Sequence, residues 1–480
     1  MQYGDLSFFQ TGVAIPLFSL RSKNSIGTGD FLDLIPFAQW VRNCDLNVIQ
    51  ILPVNDTGFE SSPYSARSAF ALNPVFINLQ ALDGSKSFED EILKAQESFE
   101  KEARMDYYKV ASWKREMLRK IFDIRYSMIS SSKPLAQWML VNECPYAAYA
   151  VLKALNHESS WKDWEEFREP EAEDIDVIWK KYKKETLFQA WMQWEAEAQF
   201  SMAVSELSKI NVRLKGDIPI LINEDSADVW YHRGYFSLAD RAGAPPDMYS
   251  YSGQNWGFPT YRWEVLEQDD FSWWRKRLRQ AAKFYHAYRI DHVLGFFRIW
   301  EVPQKEVTGM LGRFEPSVPL KWSTLQAAGF CRESLEYLKN PNFGKDQLWN
   351  FLGEFTDTAI DKYFCYLPGT TDRYIFKEEF SSEKAITSLH EVQEFKDRLL
   401  KVYWNRVFVP SSSGDDYYPY WYWYEQPVLF TLPSGEQETL RRLIAENENS
   451  QEVLWKENAL KLLTVLSKET DMLVCAEDLG

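Results

Sequence analysis

The chain has 480 residues, 45% apolar and 26% charged, which is globular composition with enough length to bury a sizeable core. Its formal net charge of −16 argues against phosphate-rich partners such as nucleic acid and suits a neutral ligand. Cys44, Cys144, Cys331, Cys365 and Cys475 form no CxxC pair, the five His form no HExxH, residues 1–10 carry no secretory pattern and no apolar run approaches about 18 residues. A disulfide framework, a metal site and a membrane span are therefore not expected, and a soluble, reducing, cytoplasmic setting is.

Short apolar runs at 12–18, 47–54, 212–222, 284–293 and 472–476 alternate with long helical stretches. This alternation predicts an α/β fold whose parallel strands are buried on both faces. Most runs end in polar or acidic residues: Asn55-Asp56, Asn223-Glu224-Asp225, Asp291-His292 and Glu477-Asp478. In a (β/α)8 barrel the site gathers at that end of the strands. Between the second and third runs, residues 89–127 and 172–210 predict amphipathic helices with periodic aromatics such as Trp191, Trp194 and Phe200. They are too long for one crossover, so 85–205 reads as an inserted helical subdomain. Lys180 to Lys184 is flanked by acids and reads as a solvated helix face. A second insertion, 304–469, contains the run Tyr417-Tyr-Pro-Tyr-Trp-Tyr-Trp-Tyr424 after a Ser411–Gly414 loop. That run reads as a buried or half-buried hairpin ahead of a sugar-stacking platform. The expected domain plan is 1–84 barrel, 85–205 helical insertion, 206–303 barrel strands three and four, 304–469 second insertion and 470–480 strand five.

Residues i and i+2 of a strand face one side, so Arg289 and Asp291 project together and the guanidinium favours an ionised Asp291, as a carboxylate nucleophile requires. Glu477 follows an apolar strand, where partial enclosure favours the acid form and suits a general acid. Alone, the first also reads as a structural ion pair and the second as two solvated acids. Together they suggest a retaining glycoside pair. Ser62 and Tyr64 in Ser61-Ser-Pro-Tyr-Ser65, Asp247, Gln254 and Trp256 in the 243–257 loop, and Asp217 within an apolar strand are candidate sugar contacts, each with a loop or structural alternative. Gly27-Thr-Gly-Asp30 lacks a following GK[ST], so nucleotide binding is discounted.

Nine strings in order, Ile15-Pro-Leu-Phe-Ser19, Gly27-Thr-Gly-Asp30, Gln50-Ile-Leu-Pro-Val54, Ser62-Pro-Tyr-Ser65, Gly216-Asp-Ile-Pro-Ile220, Glu224-Asp-Ser-Ala-Asp-Val-Trp230, Gly243-Ala-Pro-Pro-Asp247, Arg289-Ile-Asp-His292 and Ala476-Glu-Asp-Leu-Gly480, resemble the 4-α-glucanotransferases of glycoside hydrolase family 77, the amylomaltases or disproportionating enzymes. The resemblance implies a (β/α)8 barrel, Asp291 as nucleophile and Glu477 as acid/base. It also implies sugar contacts from Ser62, Tyr64, Asp217, Asp247, Gln254, Trp256, Arg289 and His292. It implies transfer of α-1,4-glucan segments among glucans, maltose and maltooligosaccharides without metal or organic cofactor. An α-glucan hydrolase and a non-catalytic glycan binder are the alternatives. The long 304–469 insertion resembles the plant cytosolic type, and with the barrel expected to begin near Met1 the N-terminal starch-binding modules of that type are not expected. Family members continue through three more barrel strands and a His-Asp-Asn motif. The sequence therefore predicts a fragment, a truncated frame or a barrel completed by a C-terminal segment, with no independent activity of the 480 residues alone.

Overall fold

The five apolar runs form one parallel sheet: β1 (Gly12–Ile15), β2 (Val48–Ile51), β3 (Arg213–Pro219), β4 (Ala287–Asp291) and β5 (Leu473–Ala476), in the order β1-β2-β3-β4-β5. These strands come from a computed structural model that describes residues 9–142, 145–411 and 414–478. Cys144, Ser412 and Ser413 of the expected loop, and Leu479-Gly480 of the last string lie outside the described residues. Each strand pairs in parallel with its sequence neighbour, the run expected of a (β/α)8 barrel.

The strands are shorter than the apolar runs, and three of them end at or near a proline. Pro16, Pro53 and Pro219 bring no N–H to the ladder. After β1 the chain turns at once into the 3-10 turn Leu17–Ser19. Gly216 is required within β3, since a Cβ there would drive into the Tyr285 ring.

Each expected helical block is broken in two: Glu89–Glu100 and Tyr107–Ser130, then Ala172–Lys181 and Lys183–Lys209. In the last of these, Ala190, Met192, Ala196, Phe200, Ala203, Val204 and Leu207 are fully buried. Phe200 stacks between Phe31, at 4.6 Å, and Phe284, at 4.5 Å. Two buried glutamines on this helix satisfy chain that belongs to no strand. Gln193 accepts from Leu72 N and donates to Leu72 O, both at 2.8 Å; Gln199 does the same for Asn78 at 2.7 and 3.0 Å. Lys181 and Lys184 lie outside and pair with Glu166 and Asp123.

The chain forms two units. The first, Met1–Ser237, Tyr261–Val293 and Thr464–Gly480, holds the parallel sheet and the helices of 85–205. The second is Leu238–Thr260 with Leu294–Leu463. It contains an antiparallel sheet of Arg313–Glu315, Ile299–Pro303, Asp240–Ala244 and Gln254–Asn255. A second antiparallel sheet joins Leu320–Lys321, Asp416–Pro419 and Phe408–Val409. One apolar cluster gathers round Leu348, Leu399 and Tyr420, another round Leu325, Leu335 and Tyr417. The aromatic run is thus divided. Tyr417 and Tyr420 are buried in those clusters, while Trp421 and Tyr424 stay 37% and 48% exposed.

Candidate active site

At the C-terminal ends of β3, β4 and β5, strand register collects charge. Asp217 on β3 is the register partner of Arg289 on β4, and Pro219 that of Asp291. In-register neighbours point to the same face, so Asp217, Arg289 and Asp291 share one side of the sheet. The Arg289 fork divides between the carboxylates. Its Nη1 donates to Asp217 Oδ1 and Oδ2 at 3.0 and 2.9 Å. Its Nη2 pairs with Asp291 Oδ1 at 2.6 Å and lies 4.0 Å from Glu477 Oε2. Tyr64, from the loop after β2, donates its hydroxyl to Asp217 Oδ2 at 2.9 Å. The Asp217 side chain is 1% exposed and that of Asp291 31% exposed, so the first is sealed and the second meets solvent.

Glu477 is fixed by main chain. Its N donates to Ile290 O at 2.9 Å and its carbonyl accepts from Val293 N at 3.1 Å, which carries the β4–β5 pairing past the strand end. Its Oε2 accepts from His292 N at 2.7 Å. That bond requires a sharp turn after Asp291, and His292 makes it with φ of +55°. The left-handed region costs a residue with a Cβ about 1–2 kcal/mol, and such outliers cluster at functional sites.

The charges tune one another. Burial pushes the Asp291 carboxyl above its ordinary range, Arg289 opposes this and the Glu477 charge adds to it. Burial likewise raises Asp217 against the pull of Arg289 and the Tyr64 hydrogen bond. Burial works against the Arg289 cation, yet Asp217 and Asp291 outweigh it and raise its pKa. Tyr64 is held protonated by burial and by the Asp217 charge.

The remaining sequence candidates are placed differently. Ser62 is exposed and contributes its carbonyl to a turn with Ser65 N at 3.2 Å, apart from the hydrogen-bonded group. Asp247, Gln254 and Trp256 belong to the second unit. There Asp247 Oδ1 accepts from Tyr249 N and Ser250 N at 2.8 and 2.6 Å, and Gln254 Oε1 accepts from the Trp256 indole at 2.9 Å. Other acids of the matched strings brace the scaffold. Buried Asp228 accepts from Ala69 N and the Trp273 indole at 2.9 and 3.0 Å, and Asp225 pairs with buried Lys153 at 2.6 Å. The main-chain hold on Glu477 and the Tyr64–Asp217 bond were not foreseen from sequence, since neither partner stands near the other along the chain. Among the described residues no group of three His, Cys, Asp or Glu is placed to hold a metal ion, and no helix is long and apolar enough to cross a membrane.

Two carboxylates around one guanidinium suit acid/base and nucleophilic work on a neutral substrate. Asp291 Oδ1 and Glu477 Oε2 lie 2.6 and 4.0 Å from the same Arg289 Nη2, so one guanidinium draws the two carboxylates together.

A profile of the 4-alpha-glucanotransferase family matches residues 15–480. The chain is 36% identical to the 4-alpha-glucanotransferase DPE2 of Oryza sativa subsp. japonica, over 98% of this chain and 52% of the rice protein. It is 37% identical to the 4-alpha-glucanotransferase of Chlamydia pneumoniae, over 60% of this chain and 56% of that protein. The chain thus spans about half the length of the curated relatives it matches. Among solved structures, the amylomaltase from Streptococcus agalactiae in complex with acarbose superposes with a TM-score of 0.56 at 18% identity, covering 91% of this chain and 99% of that one. The amylomaltase from Corynebacterium glutamicum gives 0.52 at 23% identity, over 64% and 44%. The fold is the amylomaltase fold.

Proposed function

The chain belongs to the 4-alpha-glucanotransferase family, and on that premise we propose that it carries the reaction centre of an enzyme that transfers α-1,4-glucan segments from a donor glucan to glucose, maltose or another glucan by retaining double displacement. The observation that carries this reading is the single Arg289 guanidinium that grips Asp217 and Asp291 and reaches Glu477.

In the first step an Asp291 oxygen bonds to the anomeric carbon while the bond from that carbon to the leaving oxygen breaks, and Glu477 supplies the proton to that oxygen. In the second, Glu477 takes the proton from an acceptor hydroxyl, whose oxygen attacks the anomeric carbon and releases Asp291. Arg289 favours the ionised Asp291 that the first step consumes. The backbone N–H of His292 holds the Glu477 carboxyl in one orientation at the end of its strand. Tyr64, Asp217, Arg289 and His292 are assigned to sugar binding and positioning, and Ser62, Asp247, Gln254 and Trp256 to further sugar contacts.

The substrates are maltose, maltooligosaccharides and larger α-1,4-glucans, in keeping with the acarbose bound by the Streptococcus agalactiae amylomaltase. The location is cytoplasmic. β1 and β5 stand at the two edges of the sheet, and a complementing C-terminal segment would cover those edges.

Incubation of the purified protein with maltotriose tests the activity. Chromatography that resolves maltooligosaccharides longer than the substrate supports transfer. Products no longer than the substrate would assign hydrolysis instead, and an unchanged substrate would remove the activity from this chain.

A further inference from the structure

One aromatic pair in the second unit joins a ring packed on the core, Tyr422, to an exposed ring, Tyr251, that the reaction does not use. The buried hairpin fixes Tyr420, whose N donates to Val407 O at 2.8 Å, and the chain then turns, with Trp423 N donating to Tyr420 O at 3.0 Å. Tyr422 stands at that turn. Its ring stacks on Tyr251 with centroids 5.4 Å apart and planes inclined by 20°. Tyr251 nonetheless remains 70% exposed, so one ring face is held and the other is open.

Tyr251 lies on the turn between the strands Asp240–Ala244 and Gln254–Asn255, in the segment that also carries Asp247, Gln254 and Trp256. The loop is tightly set: Asp247 Oδ1 gathers two backbone N–H groups, Ser250 Oγ donates to Gly253 O at 2.8 Å, and Gly253 turns with φ of +64°. An exposed tyrosine on a free loop would sweep through several orientations. Here the loop fixes its backbone and Tyr422 fixes its ring plane, so little ordering remains when a ligand settles on the open face.

We propose that Tyr251, backed by Tyr422 from the Leu294–Leu463 segment, is an additional stacking position for an α-1,4-glucan chain. This rests on the reading of the chain as a glucan transferase. Tyrosine presents an apolar face with a polar rim, which matches the apolar face and hydroxyl edge of a pyranose. The neighbouring polar groups are an amide and a carboxylate, fit to bind hydroxyls. The net charge of −16 favours a neutral partner over an acidic one. Tyr251 binds; Tyr422 is a positioning residue that acts through it.

Calorimetric titration with maltose and with maltoheptaose tests this on the full chain and on Y251A, Y422A and Y422F. The ratio of maltoheptaose to maltose affinity is expected to fall about 3- to 10-fold in Y251A and Y422A, the worth of one aromatic contact, and to stay near wild type in Y422F, which keeps the stack. If the wild type binds maltoheptaose and Y251A binds it equally well, the subsite is overturned while the transferase reading stands. A proportional loss for both sugars in Y251A also overturns it, since that marks a general disturbance of the loop. A wild type that binds neither sugar overturns the subsite together with the reading beneath it.

Discussion

Asp217 and Asp247 are both aspartates of matched strings, and the molecule holds them in opposite ways. Asp217 sits on a strand in the first unit with 1% of its side chain exposed, gripped by both oxygens to Arg289 and by the Tyr64 hydroxyl. Asp247 sits exposed on a loop of the second unit and spends one oxygen on the N–H groups of its own turn. The first is fixed by sheet register and neutralised by a cation. The second is fixed by local chain geometry and keeps an oxygen toward water. Register can present a charge in a dry place only if a counter-charge arrives with it, whereas a loop can present a polar group with no partner but its own backbone.

That contrast sets the size of the expected effects. The largest belongs to Asp291, which shares the half-buried Arg289 cation: Asp291→Asn should lower the transfer rate about 10^4-fold or more while retaining maltoheptaose binding, as single-turnover kinetics and calorimetry would show. Next, Arg289→Ala leaves Asp217 buried with no cation, and urea unfolding should show a loss of about 3–5 kcal/mol. Asp247→Ala should cost about 1 kcal/mol or less in the same experiment, and equal losses at both sites would dissolve the comparison. On the loop the larger effect comes from the backbone: Gly253→Ala combines a left-handed φ with a Cβ that would collide with Ala244 O, and should cost about 1–2 kcal/mol by the same measurement.

A pH-dependent effect concerns a carboxyl with only partial compensation. Burial pushes Glu301 in the second unit up from 4.5 to about 7, with Thr260 and Arg313 opposing. An acid whose pKa is raised on folding gives a contribution that is fully present below its unfolded value and lost as pH rises through the folded one. Stability from Glu301 should therefore decline between pH 4.5 and about 7. Melting curves across that window should be flatter for Glu301→Gln than for the wild type.

Much of this was legible in the sequence because parallel strands buried on both faces are continuous apolar runs, and five such runs became the five strands of one sheet. Their ends were not, because proline and the turn after β1 cut the ladder before the apolar character stops. The i, i+2 spacing put Arg289 beside Asp291, but nothing along the chain announces that Arg289 divides itself between Asp217 and Asp291, since the partners are 72 residues apart. The hold on Glu477 comes from the N–H of His292, and a backbone donor has no residue type to read. The aromatic run was legible as a buried or half-buried hairpin, but not residue by residue. Reading it as a hairpin covers Tyr417 and Tyr420, while Trp421 and Tyr424 keep much of their surface in solvent. A single pattern cannot distinguish the residues of a strand from those of the turn that follows.

The central claim is that Asp291 forms a covalent bond to the donor sugar. Incubating Glu477→Gln with α-maltosyl fluoride, whose fluoride departs without acid help, lets the first step proceed and slows the second. Mass spectrometry of the intact protein should then show one added maltosyl group, and peptide mapping should place it on Asp291. Release of fluoride with no adduct, or an adduct on another residue, would contradict the account.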